Sequence, residues 1–145
     1  ERTMSRKTRR RLLRLLSRVP GLYAVLAFVL ARRVSVRGWS MAPTLLPGER
    51  LLFDRLAYTR DRPKIGDIVL VTHPLQPAQR MVKRLAAVPG DSVDGVRLLG
   101  RGEYWVLGDN EDASTDSREF GPVTRRDLLG RAWVLYWPTD GWRVF

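Results

Sequence analysis

The strongest chemical signal in the sequence is a serine that follows an apolar strand, within the segment Val36-Arg37-Gly38-Trp39-Ser40-Met41-Ala42-Pro43-Thr44-Leu45. A hydroxyl group in such a position is a candidate nucleophile if a base lies nearby. The segment is not the G-x-S-x-G elbow of the hydrolases, because residue 42 is alanine and Pro43 interferes with a helix directly after the serine. It also lacks the lysine of an S-x-x-K motif, so the base must come from another part of the chain.

The chain contains one histidine, His73, and it follows Ser40 in the sequence. This order excludes the chymotrypsin and subtilisin arrangements and leaves only the order serine, acid, histidine, with an acid such as Asp67. Because Pro74 comes directly after His73 at the end of a strand, we expect the imidazole in an exposed loop rather than in a catalytic triad.

Lysine can also act as the base if it is uncharged, and the chain has three lysines. Lys7 belongs to a basic N-terminal arm and Lys64 to a turn that we expect to be solvated. On a strand, Lys83 shares one face with Met81 and Leu85, so apolar neighbours would desolvate the amine and lower its pKa. Moving that pKa to near 7–8 costs roughly 3–5 kcal/mol. The alternative is a strand lysine whose amine reaches solvent at the sheet edge.

A polar loop, residues 108–123, is the third candidate for chemistry. Its acidic side chains suggest a calcium-binding site, but the glycine and the terminal glutamate of an EF-hand loop are missing. We therefore interpret the loop as a hydrogen-bonded turn without metal. It is rich in hydroxyl groups, which belong to Ser114, Thr115 and Ser117.

Short apolar runs separated by Gly, Pro and Asp follow residue 33 and predict one compact, mostly β domain of antiparallel strands, residues 34–145. No segment of that domain sustains a helical period over three turns, although Asp127–Leu129 is predicted to form one short turn. The predicted strands are Val34–Val36, Arg50–Phe53, Asp67–Thr72, Met81–Val88, Val93–Leu98, Glu103–Leu107 and Arg131–Tyr136.

The N-terminal segment, residues 1–33, differs from this domain in charge. It carries ten Lys or Arg against one acid, a net charge of +9, whereas residues 34–145 carry 16 basic and 14 acidic residues. A basic arm beside the apolar run Val19–Ala31 favours a membrane anchor over nucleic-acid binding, and the positive-inside rule places the β domain on the extracytoplasmic side. A basic helix on the membrane surface, a cleavable signal peptide and a core helix are the alternatives.

Composition excludes several other classes of site. The chain has no cysteine, which excludes disulfides, cysteine nucleophiles and cysteine-based metal sites. A single histidine excludes a metal site built from several imidazoles.

Three motifs occur in order along the chain. The first, V-x-G-x-S-M-x-P-T-L, matches at Val36, Gly38, Ser40, Met41, Pro43, Thr44 and Leu45. The second, V-K-R-x-x-x-x-P-G-D, matches at Val82, Lys83, Arg84, Pro89, Gly90 and Asp91. The third, G-D-N-x-x-x-S-x-D-S-R-x-x-G-x-V, matches at Gly108, Asp109, Asn110, Ser114, Asp116, Ser117, Arg118, Gly121 and Val123. Together they resemble the type I signal peptidase family, in a minimal form.

The resemblance implies a Ser/Lys endopeptidase on a β-rich fold, without metal or organic cofactor. Ser40 would be the nucleophile, with its backbone N–H as an oxyanion donor, and Lys83 the general base. Ser114 would orient the lysine amine. The resemblance further implies a structural ion pair between Asp116 and Arg118, and an apolar pocket for small residues lined by Met41 and Leu45.

Such a minimal form also resembles dedicated peptidases that trim the propeptide of one partner, of the nickel superoxide dismutase type, and the segment Ala113–Val123 fits that group as well. A non-catalytic, membrane-tethered binding module is the alternative outside the proteases. Gly38 stands where some family members carry a hydroxyl residue, so a second oxyanion donor is unassigned. We expect precursors with N-terminal leaders as substrates, lipid contact through residues 1–33, no nucleic-acid partner, and a location at the plasma membrane.

Overall fold

The computed structural model describes residues 20–138 and 141–145. It begins with helix α1 (Pro20–Leu30), which covers most of the apolar run at residues 19–31. No helix in these two ranges combines the length and the apolar character that a membrane crossing requires. The basic residues that precede Val19 lie outside the described residues.

Antiparallel strands make up most of the remaining chain, as predicted. Within the described residues the strands are β1 (Arg32–Ser35), β2 (Arg50–Asp54), β3 (Ile68–His73), β4 (Gln76–Ala87), β5 (Ser92–Val93), β6 (Arg97–Leu98), β7 (Glu103–Leu107), β8 (Val123–Thr124), β9 (Leu128–Trp137) and β10 (Arg143–Val144). Short helices follow β2 and β7: α2 (Ala57–Arg60), a 3-10 helix (Glu111–Ala113) and α3 (Ser117–Phe120).

The main sheet has the order β1-β2-β9-β3-β4-β7-β8, with β10 paired to β9. Strand β3 lies in its middle and is buried on both faces, which explains its continuous apolar sequence. Ile68 and Leu70 pack into one core cluster with the serine segment, and Val69 and Val71 pack into a second cluster on the opposite face. The domain therefore has apolar cores on both sides of one sheet.

Two predicted elements differ from the structure. The predicted strand at residues 93–98 is a hairpin of β5 and β6, because Asp94 and Gly95 have φ angles of 55° and 66° and reverse the chain. The turn predicted at Asp127–Leu129 lies earlier, since Leu128 already begins β9. The Asp127 carboxylate instead accepts two hydrogen bonds of 2.7 Å from Thr124.

The expectation of an exposed His73 is wrong. The side chain is only 5% exposed at the end of β3, where its ring lies 4.7 Å from the ring of Phe120. Its Nδ1 accepts a hydrogen bond from the backbone N–H of Leu75. This imidazole thus has a structural role in closing the turn between β3 and β4.

Candidate active site

Ser40 lies in a tight turn that follows β1. Gly38 permits this turn, because its φ of 74° is in the left-handed region that side chains disfavour. Two backbone hydrogen bonds close the turn. The N–H of Ala42 donates to the carbonyl oxygen of Trp39, and the N–H of Leu45 donates to the carbonyl oxygen of Met41. The serine is half-buried, and its hydroxyl makes no hydrogen bond with any described residue.

Lys83 lies on β4 directly opposite Val69 of β3, and its side chain is only 3% exposed. Burial lowers the pKa of its amine, and the nearby charge of Asp116 opposes this effect only in part. The lysine is therefore desolvated by the sheet, which is one of the two alternatives that the strand pattern left open, and it does not reach solvent at the sheet edge.

A chain of directed hydrogen bonds holds the Lys83 amine. Its Nζ donates to Ser114 Oγ at 2.8 Å, and Ser114 Oγ donates to Asp116 Oδ2 at 2.6 Å. Since the single hydroxyl proton of Ser114 points to Asp116, the serine can only accept from the lysine. One N–H of the amine is thereby fixed.

Asp116 is fully buried and is stabilised as a carboxylate. Burial alone would raise its pKa, but hydrogen bonds from Arg118, Gly108 and Ser114 together hold that pKa well below the ordinary aspartate range. The Arg118 guanidinium donates twice, through Nε at 3.0 Å and Nη2 at 2.8 Å. The ion pair that the resemblance implied is thus present, directly beneath Ser114.

Gly108 brings the serine turn and the polar loop into contact. A Cβ atom at this position would lie 2.2 Å from Ser114 Oγ and 2.6 Å from the backbone oxygen of Ser40. The same backbone oxygen accepts a hydrogen bond of 3.0 Å from the N–H of Asn110. Ser40 and Ser114 therefore pack against one glycine, and only a residue without a side chain fits between them.

A second contact, missed at the sequence level, joins all three motif segments. Arg84 Nε and Nη2 donate to the two carboxylate oxygens of Asp109 at 2.8 and 2.7 Å. The same Nη2 lies 3.4 Å from Thr44 Oγ1 in the serine turn. All three residues are motif positions, but their spacing in the sequence gives no indication that they meet.

Ser40 and Lys83 line the same groove, which has a volume of about 810 Å³. Its walls are β1 with the serine turn on one side and residues 79–83 of β4 on the other, and Leu70 lies between them. Met41 also lines the groove. Leu45 is not among the lining residues. Both side chains pack in the core cluster with Phe53 and Leu135, Met41 at 1% exposure and Leu45 at 0%, so Met41 reaches the groove with only a small part of its surface.

The acidic residues of the polar loop do not converge. Within residues 20–138 and 141–145, no three side chains of the metal-binding types are close enough to hold an ion. The loop is instead a network of short hydrogen bonds, in which Ser117 Oγ accepts from the N–H of Val106 at 2.9 Å.

A sequence model described as "Signal peptidase, peptidase S26" matches residues 9–96 and 94–137. The chain belongs to this family. It is 38% identical over 117 residues to the mitochondrial ATP-independent inner membrane protease subunit 1a of Arabidopsis thaliana, across 72% of this chain and 70% of the relative. It is 34% identical over 125 residues to the mitochondrial inner membrane protease subunit 2 of Danio rerio, across 79% and 68%.

A bacterial relative, signal peptidase I of Leptolyngbya laminosa, is 30% identical over 135 residues, across 70% of this chain and 66% of the relative. This member of the signal peptidase family is a membrane-associated serine endopeptidase that removes leader peptides. The groove with Ser40 and Lys83 is the place in the fold where its sequence motifs meet.

Proposed function

We propose that this signal peptidase cleaves leader peptides with Ser40 as nucleophile and Lys83 as general base. The observation that carries the proposal is the Lys83 amine, buried at 3% exposure and held by Ser114 in the groove that Ser40 also lines. A desolvated amine has a larger neutral fraction at ordinary pH, and only the neutral amine can accept a proton. The Ser40 hydroxyl makes no hydrogen bond to Lys83 in this structure. In enzymes without substrate, the hydrogen bond between nucleophile and base is often long, and it tightens when substrate binds.

In the proposed reaction, Ser40 Oγ attacks the scissile carbonyl carbon and its proton passes to Lys83 Nζ. The resulting ammonium then gives a proton to the leaving amine, and the peptide C–N bond breaks. A water molecule attacks the acyl-enzyme, again with Lys83 as base, and releases Ser40 and the leader carboxylate. Ser114 is a positioning residue that keeps the lysine lone pair directed away from the polar loop.

The backbone N–H of Ser40 is the proposed oxyanion donor. Because the Ser40 carbonyl is bound to Asn110, the orientation of this main chain is fixed before substrate arrives. Fixed donors stabilise a developing negative charge without reorganising during the reaction.

An extended leader is proposed to bind as an added strand. Among the described residues, β1 pairs only with β2, and residues 76–83 of β4 pair only with β3, so both groove walls offer free backbone edges. Met41 would contact a small side chain, such as alanine, at the cleavage site. Leu45 would support Met41 from the core rather than touch substrate.

The segment before residue 32 is proposed to associate with the plasma membrane, with the peptidase domain on the extracytoplasmic side. The predicted boundary between residues 33 and 34 moves to residue 32, because Arg32 and Arg33 belong to β1 and pair with β2. Support comes from the basic arm and from the exposed apolar residues of α1, including Val25, Phe28 and Val29. The same helix contacts the domain, since the Tyr23 hydroxyl donates to Asp54 and Arg60 lies over the Tyr23 ring.

The test is cleavage of a panel of precursor peptides, with products identified by mass spectrometry. Ser40→Ala and Lys83→Ala should each abolish cleavage while retaining the folded circular dichroism spectrum. Ser92→Ala and Lys64→Ala are matched controls, because both side chains are exposed and lie outside the groove. Cleavage by folded Lys83→Ala would refute the dyad, and cleavage of only one precursor would indicate a dedicated maturation peptidase.

A further inference from the structure

Four arginines line the substrate groove: Arg32 and Arg33 of β1, Arg37 before the serine turn, and Arg80 of β4. No aspartate or glutamate is among the residues that line it. The groove is therefore strongly cationic at a place where leader peptide is proposed to bind.

These charges have no acidic partner within residues 20–138 and 141–145, whereas Arg84, Arg118 and Arg143 all form ion pairs there. Arg32 lies close enough to Arg80 for the two positive charges to affect each other. Burial lowers the pKa of its guanidinium, and so do the nearby positive charges of Arg80 and Arg55. Like charges gathered around a cavity repel one another, and a bound carboxylate would relieve that repulsion.

The position of the cluster indicates which part of a substrate would meet it. Arg80 precedes Lys83 by three residues on β4, about 10 Å along a strand. An extended peptide has the same rise per residue as a strand. The substrate residue that contacts Arg80 therefore lies about three to five residues from the scissile bond. Arg32 lies two residues after the end of α1, the segment proposed to lie at the membrane, so we assign this end of the groove to the leader side.

We propose that this peptidase selects leaders with an acidic side chain about three to five residues before the cleavage site, bound between Arg32 and Arg80. The proposal rests on the leader-peptidase function above and names the substrate class of the same groove. Neutral leaders would still be cleaved, but less efficiently.

The experiment compares matched peptides that differ only by Glu or Gln at each leader position near the cleavage site, using the full chain in neutral detergent. At one position in this window, kcat/KM for the Glu peptide should exceed that for the Gln peptide about fivefold, equal to about 1 kcal/mol. Raising the salt concentration should reduce this ratio, because salt screens partly exposed charges.

Arg80→Glu should reverse the preference, so that a Lys peptide is cleaved faster than the Gln peptide. Arg101→Gln, an exposed arginine outside the groove, should keep the wild-type ratio. A Glu/Gln ratio of one at every leader position, with the Gln peptide still cleaved, would overturn acidic-leader selection but not the leader-peptidase function. If wild type cleaves neither peptide, the leader-peptidase function itself fails.

A lipid headgroup is the other anion that these arginines could bind. In that case, Arg32→Gln and Arg80→Gln would weaken binding to vesicles containing an anionic phospholipid while the Glu/Gln ratio stayed at one. That result would refute acidic-leader selection and assign the cluster to the membrane surface.

Discussion

Replacing Gly108 by alanine tests whether the contact between the serine turn and the polar loop sets the geometry of the site. The new Cβ would lie 2.2 Å from Ser114 Oγ, 2.5 Å from Ser114 Cβ and 2.6 Å from the Ser40 oxygen. Favourable carbon contacts need about 3.5 Å or more, so the loop and the turn must separate by about 1 Å. A shift of that size can lower a catalytic rate about 100-fold, and overpacking costs about 1–3 kcal/mol of stability.

The assay is kcat/KM for a leader peptide together with the free energy of unfolding in urea. Gly130→Ala is the control for overpacking alone, because its Cβ would lie 2.8 Å from the backbone oxygen of Asp54, outside the groove. Gly100→Ala is the open control, with its nearest contact at 3.4 Å. Gly108→Ala should lose far more activity than Gly130→Ala at a similar loss of stability. Equal activity in these two variants would refute the role assigned to Gly108.

Three further predictions concern the buried charges and α1. Burial places the folded-state pKa of Lys83 below the ordinary value of 10.5. At pH values between the folded-state pKa and 10.5, the folded protein binds fewer protons than the unfolded protein. The free energy of unfolding therefore rises with pH in that range. Lys83→Met should remove that rise, measured by urea unfolding across the alkaline range, and an unchanged slope would contradict a desolvated amine. Asp116 has a lowered pKa, so its stabilisation is present above the ordinary value of 3.8 and is lost as pH falls through the folded-state value. Asp116→Asn should therefore lose about 2 kcal/mol at neutral pH, and the loss should shrink in acid; a constant loss at all pH values would argue against the ionised carboxylate. Tyr23→Phe removes the hydroxyl that donates to Asp54, and hydrogen exchange of residues 20–30 should accelerate about fivefold, whereas unchanged exchange would mean that this bond does not hold α1.

The sequence pattern was sufficient for the elements with strong local signals. Strand β7 was predicted with its observed bounds, and Lys83 was placed on an apolar face because alternation along a strand is a local property. The roles of Ser114 and Asp116 came instead from a motif resemblance. No local pattern indicates that residues 31 positions apart, Lys83 and Ser114, form a hydrogen bond.

What could not be predicted depends on contacts between distant segments. The two-residue strands β8 and β10 have too few residues to show a period, and their pairing is fixed by the longer strands β7 and β9. The contact of Arg84 with Asp109 and Thr44 requires strand β4 and two loops to converge. Burial of His73 similarly depends on Phe120, which is distant in sequence but close in the fold.

The hairpin of β5 and β6 lies outside the main sheet, and its base is closed by hydrogen bonds of 2.9 Å between Leu99 and both Gly90 and Asp91. Its tip is open to solvent, with Val96 91% exposed. A reporter domain or affinity tag inserted at Gly95 would therefore extend outward without crossing the catalytic groove. The polar loop offers no such freedom, because each added residue there would pull Ser114 away from the amine that it holds.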